Sequence, residues 1–538
     1  MTCVAFCFAL SYCFGSCDFA RKIHANSPAS GSDDLVMWSD VYTIVEATND
    51  EIHSLQDQMA IPLEEVTLVL ERSVADAPQV FRLPARYREE LMARQVAVIS
   101  NPPFYLVDPL IHERRASDDF AVWMSGYKDE VIVEKMLRRL ARDYPDITAL
   151  YEVGRSHEGR PIFALKISDN PSLDEDEPAF LFNAAHHGNE LLAPEYVLDL
   201  ARFMLSGRGS FGETRWFDFM YESTNGVGTV HYRRPEIQTM IENFELWFVP
   251  VVNPDGLHVA WNRGYWSGRK NARDTTSPRG RWNKGDGVDL NRNYPFYWNS
   301  GFEKASSGRP GSIFYRGRAA GSEPETRAIM GLAERQRFAV SLSYHCYATK
   351  ILVPYTIDLA VSPNPNPAWR IGQELARAGI SHRPVKRYTA ERNLYAVDGT
   401  DQDWLYNRFG TMAFIIEGSY LTPDYEPRAR RSIQGMRPLS LRALELYAEG
   451  PALIIHVVDE QNRPTQARVE IVEFDYIENE AFTTHPRNGR FDYFLNSGGD
   501  YTLRVSKPGY QWLETRVECQ SGHCPVSLKL TPDPARPN

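Results

Sequence analysis

With 538 residues, 43% of them apolar and 24% charged, the chain is long enough for two to four globular units, each with its own core. Its 70 acidic residues outnumber 59 basic ones for a formal charge of -11, which argues against nucleic acid or an anionic lipid surface as the main partner. Beyond the first 16 residues no apolar run approaches the length needed to span a bilayer.

Cys3 to Ser16 is an apolar stretch of signal-peptide length, too short to cross a bilayer. Residues 1–25 are therefore expected to be a removable signal, with the mature protein exported to a periplasm, to the medium or to a lipid anchor. No Lys or Arg precedes the run, so a mis-set start codon is a rival reading. Phe14-Gly15-Ser16-Cys17 resembles a degenerate lipobox, in which Cys17 would be lipidated and supply the protein's membrane contact. After a Ser/Gly/Asp linker at Ser27–Asp34, strand-like runs (Asp40–Glu46, Val66–Glu71) alternate with a helix-like one (Arg86–Val96), as in a small α+β module over 35–110. It carries no cluster of chemical residues, and its place before a larger unit suggests a pro-segment or docking module.

Residues 118–449 form the large unit. Apolar Val131, Val133, Met136, Leu137 and Leu140 predict a helix over Asp129–Arg142, followed by strands Thr148–Val153 and Pro161–Ile167. The run Phe180–Ala184 then reaches His186-His187-Gly188-Asn189-Glu190 and turns helical through Leu200. Further short apolar runs, Leu246–Val252, Phe338–Tyr344, Lys350–Pro354 and Thr411–Ile416, are separated by helical patterns. Alternation of this kind predicts an α/β unit, a central sheet flanked by helices on both faces, with its site outside the strand ends. A helix over Ser432–Glu449 stops at Gly450-Pro451. Beyond it Ala452–Asp459, Ala467–Tyr476, Gly489–Leu495, Tyr501–Ser506, Thr515–Glu518 and Val526–Leu530 predict a small β-sandwich over 451–534. Cys519 and Cys524 within it are spaced to close a small disulfide.

Chemistry gathers in the large unit. A neutral imidazole and a carboxylate three residues apart reach one Zn²⁺ if the backbone turns between them, which Gly188 permits. At this level His186 and His187 are both ligand candidates with Glu190, and a helix cap or solvated loop explains the pattern equally well. His345, leaving the strand-like Ser341–Tyr344, is the candidate third ligand; two histidines and a carboxylate leave a fourth position for water. Between them lie Asp289-Leu290-Asn291-Arg292 and Trp266-Ser-Gly-Arg269-Lys270-Asn271, and guanidinium forks near a metal suit a carboxylate-bearing substrate. Glu417, emerging from Met412–Ile416, is placed for partial burial and for work as a general base.

Taken together, these residues resemble the zinc metallocarboxypeptidases of the carboxypeptidase A/B and N/E type, the funnelins, over about Asp118–Glu449. The resemblance implies a mixed central sheet and one Zn²⁺ per chain held by His187, Glu190 and His345, which selects His187 over His186. It implies that Asp289 orients His187, that Asn291 and Arg292 bind the substrate's terminal carboxylate, and that Arg269 polarises the scissile carbonyl. Tyr395 would close over the substrate, Glu417 would be the catalytic glutamate, and Gln402 would lie at the floor of the terminal-residue pocket. Asn253-Pro-Asp-Gly256 matches the family's strand-end turn. Asn189 departs from the A/B wording and follows the N/E branch, and the C-terminal sandwich resembles that branch's transthyretin-like domain, whereas the first module resembles an A/B pro-segment. Asp398, Asp401 and Asp403 beside Gln402 favour a basic terminal side chain if any of them faces the pocket. The expected activity is removal of C-terminal residues from peptides or proteins by a monomeric enzyme. One rival is a zinc amidohydrolase acting on acylated amino acids or cell-wall peptides. Another is a non-catalytic zinc-binding module, against which the retained Glu417 and Asn291-Arg292 pair speak.

Overall fold

The structure, a computed structural model, describes residues 42–62, 67–70, 79–99, 126–206, 216–223, 226–263, 267–276, 283, 285–302, 304–381, 386–419 and 428–534. The expected export signal, with Cys3, Cys7, Cys13 and Cys17, and the linker at 27–34 lie outside them. Among the described residues no helix is long and apolar enough to cross a membrane.

In the N-terminal part, β1 (Tyr42–Ala47), α1 (Asn49–Met59), β2 (Thr67–Leu70), β3 (Gln79–Pro84), α2 (Arg88–Ala93) and β4 (Ala97–Ile99) form a four-stranded sheet in the order β2-β3-β1-β4 with two helices. Thr48 and Glu51 close a reciprocal capping box at the start of α1.

The central part opens with α3 (Glu130–Asp143), capped by Asp129, whose carboxylate accepts from the Ile132 amide. Its buried stripe, Ile132, Val133, Met136, Leu137 and Leu140, is the one the spacing predicts. Then come β5 (Thr148–Arg155), β6 (Pro161–Ile167), β7 (Ala179–Ala184), α4 (Ala193–Ser206), the hairpin β8 (Trp216–Ser223) and β9 (Gly226–Arg233), α5 (Arg234–Asn243), β10 (Glu245–Val249), α6 (Pro254–Arg263), α7 (Pro324–Gln336), β11 (Val340–His345), β12 (Lys350–Leu352), α8 (Pro367–Ala378), β13 (Thr389–Glu391), α9 (Asp401–Phe409), β14 (Met412–Glu417) and α10 (Arg430–Glu449). Eight strands make one mixed sheet in the order β13-β12-β14-β11-β7-β10-β6-β5. The inner four, β14, β11, β7 and β10, are mutually parallel. They are buried along their whole length; β14 accordingly reads as an apolar run up to Glu417, whereas β11 alternates apolar residues with the buried Ser341 and Ser343. Successive side chains of β7 enter two different cores. Phe180 and Phe182 pack with α3, α4, α8 and α10. Leu181 packs on the other face with α7 and α9. The β8–β9 hairpin is an addition to the expected elements: Asp218, Glu222, Gly226 and Gly228 interrupt the apolar pattern there.

After the Gly450-Pro451 break, β15 (Ala452–Val458), β16 (Arg468–Ile471), β17 (Arg490–Phe494), β18 (Gly499–Ser506), β19 (Leu513–Cys519) and β20 (His523–Lys529) form two three-stranded sheets, β17-β15-β20 and β16-β18-β19. Cys519 and Cys524 are disulfide-bonded, as their spacing allowed. This β-rich region is joined to the central part by buried aromatics, with Tyr447 of α10 edge-on to Phe494 and to Phe180.

Candidate active site

Parallel pairing brings the site together. β11 lies between β7 and β14, and its register sets Tyr344 beside Ala184 and His345 beside Glu417. The carboxyl ends of three neighbouring strands therefore stop at one level, where such sheets place their ligands. Past Ala184 the chain leaves β7 through Ala185, whose φ is +55°, and enters the His-Gly-Asn-Glu turn. Gly188 packs against the first turn of α6: a Cβ there would stand 2.1 Å from the Gly256 carbonyl carbon and the Leu257 nitrogen. Asn253 holds the turn from the other side, its Nδ2 donating to the His186 carbonyl at 3.0 Å while its Oδ1 accepts from the Gly256 amide at 2.8 Å. The Asn-Pro-Asp-Gly motif is thus the capped start of α6.

His187, Glu190 and His345 converge, all three buried, with their ligand atoms within 4.8 Å of one another. Nδ1 of His187 lies 2.8 Å from Glu190 Oε1, and Nδ1 of His345 lies 3.0 Å from Glu190 Oε2. Two imidazole nitrogens and a carboxylate are the donor set of a catalytic zinc site with one position open. The remaining nitrogen of His187 donates to Asp289 Oδ1 at 2.9 Å, which fixes the tautomer that leaves Nδ1 for the metal. Burial alone would push the Glu190 carboxyl up, yet His187 and His345 hold it well below the usual carboxylate range. Burial likewise pulls His345 down, and Glu190 overcomes it, raising the imidazole to about 9. His186 points elsewhere: fully buried, it bonds the Tyr294 hydroxyl at 2.8 Å, and burial lowers its pKa to about 4, so it is neutral.

Asp289, fully buried, also accepts from Arg269 through Nη2 at 2.8 Å and Nε at 3.1 Å. Asn291 donates its amide to Asp289 at 3.1 Å and accepts the Asp401 amide at 3.0 Å. Arg292, 3% exposed, is oriented by two backbone carbonyls, its Nε donating to Ala305 and its Nη1 to Asn291, which leaves the rest of its five N–H donors for a ligand. Glu417 closes the cluster at the end of β14. Burial first, then the neighbouring Glu190, raise its pKa. Tyr395 is half exposed on the loop after β13, near enough that Glu417, Arg292 and Arg269 act electrostatically on its hydroxyl.

The acids around Gln402 separate. Asp403 accepts from the Thr356 amide and hydroxyl, and Gln402 Nε2 donates to the same hydroxyl at 3.0 Å. Asp398 accepts from Ser300. Asp401, buried, has both carboxylate oxygens without a hydrogen-bond partner among the described residues, one of them 3.8 Å from His186 Nε2. Phe314 escaped the sequence reading: the guanidinium carbons of Arg269 and Arg292 lie 5.4 and 5.7 Å from its ring centroid, so one aromatic face steadies both arginines. Nothing but its aromatic character marks it within the Ser312-Ile-Phe-Tyr315 loop.

Fold and site together define an α/β protein with a buried His-Glu-His cluster that can hold a metal ion. The sequence profile of the zinc carboxypeptidases matches residues 133–424, more than half of the chain. The carboxypeptidase N catalytic chain of Rattus norvegicus is 30% identical over 435 residues, covering 75% of this chain and 82% of its own length. A zinc carboxypeptidase of Saccharothrix mutabilis subsp. capreolus is 28% identical over 326 residues, covering 58% and 67%. The crystal structure of carboxypeptidase A from Helicoverpa armigera overlays with a TM-score of 0.49 at 21% identity, over 76% of this chain and 99% of that one. The chain belongs to the zinc carboxypeptidase family; it is a zinc-dependent enzyme, and the family acts on peptide C-termini.

Proposed function

We propose that this enzyme removes single residues from peptide C-termini with Glu417 as general base, His187, Glu190 and His345 as the zinc ligands, and Asn291 with Arg292 as the clamp on the terminal carboxylate. The observation that carries the reading is the pairing of His345 with Glu417 across two parallel strands, which sets a raised-pKa carboxylate beside the metal ligands. Zinc, when bound, acts as a Lewis acid and makes water a stronger acid at neutral pH. Glu417 takes the proton of the attacking water and hands it to the leaving amine. Arg269, held in place by Asp289 and the face of Phe314, offers its donors to the charge developing on the carbonyl oxygen. Arg292 and Asn291 admit a chain end and turn away internal bonds, and Tyr395 moves over the substrate to exclude water. Asp401 and Gln402 are the side chains assigned to select the terminal residue, with a preference for Lys or Arg.

The chain divides, in this reading, into a pro-segment-like module at 35–110, the catalytic unit at 118–449 and a transthyretin-like sandwich at 451–534. Export is supported by the Cys519–Cys524 bond, since disulfides persist in oxidising compartments. Glu417→Gln tests the mechanism: the variant is expected to bind zinc as before while kcat falls by about 10² to 10⁴, the range of general acid–base catalysis. A zinc-loaded Gln variant with full peptidase activity would refute the assignment. A panel of blocked dipeptides with basic and apolar ends, set against acylated amino acids and cell-wall peptides, separates a peptidase from an amidohydrolase.

A further inference from the structure

The segment Asp475–Glu480, between β16 and β17, leaves the C-terminal β-rich region and hydrogen-bonds Asn364, Tyr297, Val361, Asn407 and Tyr355 of the central part. Glu480 is only 2% exposed, and the Tyr355 hydroxyl donates to its Oε1 at 2.8 Å while the Glu478 amide donates to its Oε2 at 2.9 Å. Glu478 accepts from the Tyr297 hydroxyl at 2.8 Å and from the Val361 amide at 2.7 Å. Asn407 joins the two, its Nδ2 donating to the Tyr355 oxygen at 3.1 Å and to the Glu478 carbonyl at 3.0 Å.

Tyr355, Tyr297 and Asn407 each adjoin a residue of the substrate pocket. Tyr355 precedes Thr356, the residue that binds Gln402 and Asp403. Tyr297 follows Asn291-Arg292 on the same loop, whose Tyr294 amide donates to the Gly399 carbonyl just before Asp401. The ring of Phe296 stacks on Tyr355 with centroids 4.7 Å apart, so these two loops brace one another. Asn407 lies on α9, whose first turn is Asp401, Gln402 and Asp403. Two packed regions need only apolar contact to stay together; carboxylates that each accept from a tyrosine hydroxyl fix how the loops lie, because a hydrogen bond has direction and a buried acceptor left unmade is costly.

We propose that Glu478 and Glu480 of the C-terminal β-rich region are positioning residues for the terminal-residue pocket, holding the Asn291–Tyr297 and Tyr355–Val361 loops at the geometry in which Gln402, Asp401, Asn291 and Arg292 grip the substrate. This rests on the assignment of those four residues to substrate binding. The C-terminal region then contributes to KM although none of it touches substrate.

The test uses the full-length zinc-loaded chain, with kcat and KM measured separately on whichever substrate of the panel the wild type cleaves. Glu480→Gln and Tyr355→Phe are each expected to raise KM about tenfold, the worth of one net hydrogen bond. Zinc stoichiometry should stay at wild-type level and kcat within about threefold. The double variant should be no worse than the poorer single one, since both act on the same bond, which the Gln amide can restore only as a weaker neutral one at the expense of either Tyr355 or the Glu478 amide. Tyr297→Phe, at the more exposed end, is expected to raise KM in the same sense and serves if Glu480→Gln does not fold. Unchanged KM in folded variants overturns the proposal, as does a fall of kcat in step with the folded fraction, which marks a purely structural role. Should the wild type prefer acylated amino acids to peptides, the peptidase reading fails while the KM comparison on that substrate still decides this one.

Discussion

Asp289→Asn is the sharpest single perturbation of this site, because the carboxylate is fully buried and all its bonds go to functional neighbours. Oδ1 accepts from His187 Nε2 at 2.9 Å and the Asn291 amide at 3.1 Å; Oδ2 accepts from Arg269 at 2.8 and 3.1 Å. Burial pushes the Asp289 carboxyl up, and Arg269 followed by His187 overcome it and hold it well below the usual range, so it is ionised throughout the working pH. Asparagine keeps the shape but turns one oxygen into a donor. Facing Arg269, the amide loses two charge-assisted bonds of about 1.5–3 kcal/mol each and leaves the guanidinium without its counter-ion, so that folding stability should fall by about 3–5 kcal/mol as for other broken buried pairs. Facing His187, it meets a donor with a donor and frees the wrong tautomer. Either orientation should weaken zinc binding about 10- to 100-fold, the usual effect of losing a partner behind a metal-bound histidine. At saturating zinc, misaimed Arg269 should still lower kcat about 10²- to 10³-fold, as for loss of an oxyanion donor. Chelator competition gives the zinc Kd, and steady-state kinetics in excess zinc isolates the second effect. An Asn variant with zinc affinity within twofold of wild type and unchanged kcat would refute the reasoning.

His187→Ala should abolish stoichiometric zinc binding, whereas His186→Ala, which loses a buried bond to Tyr294 and ring packing on His345 but no ligand atom, should retain it and melt earlier; equal zinc loss in both would reopen the ligand assignment. A pH effect on stability is expected from Glu325, at the start of α7, which accepts from the His157 amide and Asn271 Nδ2. Burial raises its pKa from 4.5 to about 7, against the opposing bond from His157. The folded state therefore binds the extra proton between those pH values: its stabilisation is fully present below pH 4.5 and is lost as pH rises through about 7, a difference of about 3 kcal/mol. Denaturant unfolding of the wild type and Glu325→Gln at pH 5 and 7.5 should show a larger loss in the wild type, because Asp403 and Glu177, also raised to about 7 by burial, titrate in both; parallel pH profiles would discard it.

The elements that read well were those whose burial is uniform or periodic. The stripe on α3 and the buried strands β7, β10, β11 and β14 lie within a few residues of their expected bounds, since short runs rich in apolar residues suit strands buried on both faces even where a serine or asparagine interrupts them. The β8–β9 hairpin did not read, because polar and glycine residues break its alternation. Of the residues the structure brings together, His187, Glu190, Asp289, Asn291, Arg292, His345 and Glu417 had been singled out in the sequence as polar motifs, most of them at the ends of apolar runs. Phe314 was not legible as a partner of the site, and the sequence did not distinguish Asp401 from Asp398 and Asp403, since none of these differs in type from its loop or helix neighbours.

Amino-acid order by itself picked out the residues that could hold zinc, a glycine between two of them, and a carboxylate and guanidinium groups of the kind a peptide end would need. Tertiary structure alone decided that His186 is turned onto Tyr294, that Glu417 stands beside His345, and that Asp289 serves His187 and Arg269 at once. The physical reason is register: ligands more than a hundred residues apart meet only because β7, β11 and β14 pair in parallel and end at the same level, a choice made by packing along whole strands and invisible in any one of them.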